Sequence, residues 1–136
     1  MKKLLIIIFL ISLLSSCTGT GNKTKPIITT SNSGNTILYF TRQGGYIAGG
    51  VLAKIEVNGR EIARLGTKEN ITHNVSTNFR INVSGSGLSG IGMGGDSISG
   101  VANGKNSFYI IGVKQGFFST KFIINETTES GYKQSE

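Results

Sequence analysis

The chain lacks tryptophan and carries one cysteine, one proline and one histidine in 136 residues. A single cysteine excludes a disulfide within the chain. With one histidine beside it, the nitrogen and sulfur donors of a tetrahedral zinc site are missing too, and no metal, cofactor or catalytic residue is expected. Acidic residues are scarce, 7 against 14 lysines and arginines, which gives a formal net charge of +7. No apolar run approaches the ~20 residues that cross a hydrocarbon core. The longest, Leu4 to Leu14 interrupted only by Ser12, would make a helix of about 16 Å. An amphipathic stripe with helical period is absent as well, so a helical domain is not expected.

The N-terminus carries the clearest signal. Met1-Lys2-Lys3 precedes the apolar run, and small residues follow it in Leu14-Ser15-Ser16-Cys17, the order of a secretory signal peptide. An ordinary signal peptide needs no cysteine at its end, and Leu14-Ser15-Ser16-Cys17 resembles the lipobox of bacterial lipoproteins. That resemblance implies cleavage between Ser16 and Cys17 and lipid, including acyl chains such as palmitate, on Cys17. A thiolate is the side-chain nucleophile suited to making a thioether, and several acyl chains hold where one holds only marginally. The plain alternative is a cysteine that merely follows an apolar segment. Thr18 stands where aspartate marks inner-membrane retention in well-studied diderm bacteria, so the expected location is the outer membrane, facing the periplasm or the cell surface.

The expected organisation is a signal peptide over 1–16, a lipidated Cys17 with a flexible tether over 17–35, one domain over 36–130 and a polar tail over 131–136. The tether is rich in Thr, Ser, Asn, Gly and Lys, with Ile27 and Ile28 as its apolar content, and reads as disordered. From Thr36 onward, period-two runs rich in Ile, Val, Phe and Tyr predict strands near 36–42, 51–57, 60–65, 70–76, 79–84, 98–102, 106–113 and 117–124. The fold class is therefore all-β, a small antiparallel sandwich or a partly open barrel. Asn58-Gly59 supplies a two-residue hairpin turn; a strict turn pairs Ile55 with Ile62, which is favourable, but sets Glu56 against Glu61, which is not, so the register is open. A Gly and Ser stretch over 85–100 reads as a mobile loop or a glycine-rich edge hairpin, and the tail as one short helical turn or a frayed end.

Positive residues are dispersed along the sequence with no cluster of four, and Phe108, Tyr109, Phe117 and Phe118 beside them read as core, so nucleic acid is not an expected partner. Gly85-Ser86-Gly87-Leu88-Ser89-Gly90 fits G-x-G-x-x-G, but no helix pattern or acidic ribose ligand follows it. Asp96 lacks the tandem repeats of glycine-rich calcium sites. His73 has no partner histidine, and no nucleophile elbow marks a serine that a His73–Asp96 pair would activate. Glu56 and Glu61 read as a solvated hairpin face. The sequons at Asn70 and Asn74 carry no information for a bacterial export route.

Three segments resemble a family of small bacterial lipoproteins catalogued as domain of unknown function 2846. They are Ile37-Leu38-Tyr39-Phe40-Thr41-Arg42, the hairpin Ile55 to Leu65, and Val101-Ala102-Asn103-Gly104-Lys105-Asn106-Ser107-Phe108-Tyr109-Ile110. The chain departs from that pattern at Ser76-Thr77-Asn78, where the family places a Pro-Gly turn, and in its long glycine stretch. The resemblance implies a sandwich and brings no catalytic residue. The function expected is a noncatalytic, lipid-anchored envelope module that binds or braces another envelope protein. The alternative is a surface lipoprotein that binds glycan or a host ligand through 85–100 and tyrosines such as Tyr46.

Overall fold

In the computed structural model, residues 19–32, 34–45 and 48–135 are described. Ser16, Cys17, the signal segment and Tyr46 lie outside them. Eight strands form: β1 Thr36–Arg42, β2 Leu52–Val57, β3 Arg60–Leu65, β4 Asn70–Val75, β5 Phe79–Ser86, β6 Asp96–Gly100, β7 Ser107–Gln115 and β8 Thr120–Thr127. They make two four-stranded sheets with orders β4-β1-β7-β8 and β3-β2-β5-β6. The fold is a β-sandwich, not a closed barrel. All pairings are antiparallel except β1 with β7, because the chain returns from the second sheet to a slot between β1 and β8.

Alternation builds the core. Leu38 and Phe40 of β1, Tyr109 and Ile111 of β7, and Phe122 and Ile124 of β8 turn inward, where they meet Ala53, Ile55, Val57, Leu65, Ile81 and Val83 from the facing sheet. Successive side chains point to opposite faces, so β1 sends Tyr39 outward, and there it stacks on Phe108 at 5.0 Å. That outer face is not bare. A short helix, α1 (Glu129–Gln134), packs Tyr132 onto both rings, with Ile28 and Ile37 beside them. The helical turn expected in the tail thus forms, capped by Thr128, whose hydroxyl accepts from Gly131 N at 3.1 Å.

Two expectations change, for Phe117-Phe118 and for the tether, and two open readings resolve. The hairpin turn places Asn58 and Gly59 at positive φ, 51° and 79°, and Glu56 does face Glu61. A bulge then pairs Ile55 with Ala63 and not Ile62, which turns Ala63 and Leu65 into the core. The two glutamates keep separate partners, Glu56 with Lys54 at 3.7 Å and Glu61 with Arg64 at 2.5 Å. Phe117 and Phe118 are not core: β8 begins at Thr120, and a loop closed by Gly116 N donating to Ser119 O at 2.7 Å sets them at its apex.

The glycine stretch forms a 3₁₀ turn, Leu88–Gly90, and the edge strand β6. Between them Gly94 is bridged to Lys121 of the opposite sheet. Residues 19–32, expected as a flexible tether, lie along the domain. Thr20 N donates to Arg64 O at 2.8 Å, Asn22 and Asn70 exchange a pair of backbone bonds at 2.8 Å, and Thr29 N donates to the Tyr39 hydroxyl at 3.0 Å. Backbone bonds, a few side-chain bonds such as Lys23 Nζ to Thr67 O and one apolar residue, Ile28, hold this strap, and a polar composition does not advertise their partners.

Candidate functional site

One end of the sandwich gathers the unusual features. Its keystone is Arg42, the last residue of β1 and 3% exposed. The guanidinium donates to Val51 O at 2.5 Å, Leu65 O at 2.7 Å and Ala48 O at 2.8 Å, so an arginine of one sheet is bonded to the end of the other. It also lies 5.0 Å over the Phe122 ring. Burial pulls its pKa down, and the Glu69 carboxylate opposes that pull. Glu69, 2% exposed, accepts from Gly66 N at 2.7 Å and from Gly19 N at 3.1 Å. The buried pair therefore ties together both sheets and the start of the strap.

Register places other groups at this end. Ala53 lies opposite Leu65 on one side and Gly85 on the other, so the loop that follows β5 leaves from the level at which Gly19 enters. In the first sheet Thr41 lies opposite Asn70 and Ile110. From Ile110, β7 climbs to Gln115, about 17 Å farther at ~3.4 Å per residue. The β7–β8 loop and the loop after β5 therefore stand at the end where the chain enters.

Two surfaces result. On the outer face of the first sheet, a basin of about 390 Å³ is lined by Lys23, Lys25, Lys68, Lys133, Thr41 and Asn70. The cations come from the strap, the β3–β4 loop and α1, and folding gathers charges from three segments that are far apart in sequence. Lys23 donates to Thr67 O at 2.8 Å, Lys25 bonds the end of α1 at Ser135, and Lys133 pairs with Glu129 at 2.5 Å. Asn70 donates through Nδ2 to Asn22 O at 3.0 Å, while its buried Oδ1 has no hydrogen-bond partner among the described residues.

The second surface is apolar. Phe117 is 93% exposed and Phe118 94%, their rings edge to face at 4.6 Å. Across a shallow concavity of about 570 Å³ stand Ile91 and Met93 from the loop after β5. Leu88, in that same loop, is 88% exposed, and Ile91 75%. Just behind the phenylalanines, exposed Lys114 and Lys121 sit directly opposite each other across the strand pair. Like charges in that position repel. One sequence signal for this tip existed: neighbours on a strand face opposite ways, so two adjacent aromatics are both buried only when both faces are covered. Phe108 and Tyr109 meet that condition, with α1 on one face and the core on the other.

The residues singled out from sequence do not converge. His73 sits on β4 opposite Leu38, half-buried, its pKa lowered by desolvation and then by the Arg60 charge. Asp96 accepts from Ser97 N at 2.9 Å and Ile124 N at 3.2 Å, which stitches β6 to β8. Gly85 and Gly90 of the G-x-G-x-x-G pattern pack on each other: a Cβ on Gly90 would stand 2.6 Å from the Gly85 carbonyl carbon. Close backbone approach, not a phosphate cradle, is what those glycines permit. Asn70 of the first sequon is buried and Asn74 exposed. Among the described residues no group of three His, Cys, Asp or Glu side chains is placed to hold a metal ion, and no helix is long and apolar enough to cross a membrane. No family model, no curated protein and no solved structure matches the chain.

Proposed function

We propose that the chain is a bacterial envelope lipoprotein in which Cys17 carries the membrane lipid and the sandwich is a noncatalytic module that binds or braces another envelope protein. The observation that carries this reading is the strap. Gly19, two residues after Cys17, is bonded to Glu69, so at most ~7 Å of chain separates the modified residue from the folded domain. An anchor at Cys17 would hold the Arg42 end of the sandwich beside the bilayer. The noncatalytic part of the proposal is supported by the structural bonds of Asp96, Glu56 and Glu61. Thr18 favours the outer membrane as the destination.

Fractionation of cells that express the chain and its Cys17→Ala variant tests the proposal. The parent should be found in the membrane fraction and incorporate labelled palmitate, and the variant should lose the label. Crosslinking in the same cells should recover a partner protein that depends on Cys17. Equal labelling of parent and variant would overturn the anchor. A second reading, a surface lipoprotein that binds an external glycan or host ligand, is favoured by Asn70 Oδ1, a buried acceptor without a donor in a lysine-lined basin. Protease treatment of intact cells separates the two, because a periplasmic domain is protected.

A further inference from the structure

We propose that the tip formed by Phe117, Phe118 and Ile91 is a membrane-docking surface that enters the interface of an anionic phospholipid leaflet. The proposal rests on the lipid-anchor reading for its orientation and on the tip's own chemistry for its partner. Three large apolar side chains between 75% and 94% exposed around one concavity are more than a scatter of surface residues and mark an interaction site. Their neighbours identify its chemistry. Lys114 and Lys121 stand opposite each other with no acidic residue on the tip loop, Gly116 to Ser119, or on the facing loop, Gly87 to Gly95.

Apolar side chains at an apex with cations one step behind match the layers of an anionic bilayer, in which acyl boundary lies beneath phosphate. Lysine stems can lie along the apolar layer while their ammonium groups stay at the phosphates. The anion also relieves the repulsion between the two lysines. Position agrees with this occupant. The tip projects from the end of the sandwich at which Gly19 enters, so lipid on Cys17 and the aromatic apex would address the same surface. Two attachments at opposite edges of one end, strap beside β3 and tip at β7–β8, would stop the domain from swivelling on its anchor.

The tip is rigid enough to serve. Gly94 N donates to Thr120 O at 3.0 Å and Phe122 N to Gly94 O at 3.0 Å, which fastens the loop after β5 to the base of the hairpin. A Cβ on Gly94 would meet Lys121 Cβ at 2.9 Å, so glycine is what lets the two loops come together.

The absence of tryptophan makes the test direct. Phe118→Trp introduces a single fluorophore at the apex, and Val101→Trp places one at an exposed position just after β6, at the opposite end of the sandwich. The full chain is mixed with anionic phospholipid vesicles carrying brominated acyl chains, with flotation recorded for each variant and for Cys17→Ala. Docking predicts blue-shifted emission and strong quenching for Phe118→Trp, and neither for Val101→Trp. Water-like, unquenched emission from Phe118→Trp on floated vesicles would overturn the tip proposal and leave the anchor standing. Quenching that persists in the Cys17→Ala background would support a tip that engages lipid through its own chemistry, without the anchor. A blue shift that appears without vesicles and rises with protein concentration would assign the tip to a second copy of the chain and overturn the membrane proposal.

Discussion

Arg42 is the residue on which the end of the sandwich depends, because three carbonyls at that end, of Ala48, Val51 and Leu65, receive its donors. Removing the guanidinium leaves three carbonyl acceptors without their charged donor, so Arg42→Ala should cost about 3 kcal/mol or more in urea unfolding. Arg42→Lys should recover only part of that, since one ammonium cannot span the fork; full recovery would mean that charge alone matters. Tyr132 makes the converse case. Its ring is fully buried but its hydroxyl has no hydrogen-bond partner among the described residues. Tyr132→Phe should therefore be neutral or stabilising, whereas Tyr132→Ala should lose about 3–5 kcal/mol. Burial, with Tyr39 nearby, pushes the Tyr132 pKa up to about 12. The unfolded phenol ionises near ~10, so the folded state holds the proton longer. Stability should be intact below pH ~10 and decline as pH rises from there through the folded value. Loss of that decline in Tyr132→Phe, followed by alkaline unfolding, would confirm its source.

Elements were legible where alternation, apolar runs or turn residues mark them. The hairpin at Asn58-Gly59, the eight strands and the aromatic run of β7 follow from alternation and turn chemistry. What escaped the sequence has a physical reason in each case. The bulge at Ile55 and Glu56 depends on which residues the facing sheet accepts. The strap is held largely by backbone groups that every residue possesses and by side-chain bonds to distant partners such as Glu69 and Ser135, and its apolar packing residue, Ile28, sits in a polar context. The tip was misread because Phe117-Phe118 has strand-like composition, although Gly116 and Ser119 close a loop around it. The strap gives a test of its own. A Cβ on Gly19 would stand 2.1 Å from Glu69 Oε2 and 2.2 Å from Arg64 O, so Gly19→Ala should release the strap and leave the sandwich folded. Limited trypsin treatment should then cut at Lys23 and Lys25 faster than in the parent, with the core fragment resistant. Unchanged cleavage would show that the strap is held elsewhere.

At the scale of the whole molecule, the sequence concealed a polarity that folding creates. Lysines scattered from position 23 to position 133 meet around one basin, and apolar residues from two separate loops meet at one tip, both at the end where the chain enters from Cys17. A dispersed charge pattern thus becomes a sided molecule, with one end suited to an anionic surface and the other ringed by polar turns. Nothing in the residue list locates that end, because it is fixed by long-range register between strands. The account as a whole turns on Cys17. Mass analysis of the mature N-terminal peptide, purified from membranes, tests it most directly: a peptide that begins at Cys17 and carries a diacylglyceryl thioether with an acylated amine is the predicted result, and an unmodified Cys17 or a mature chain beginning elsewhere would contradict it.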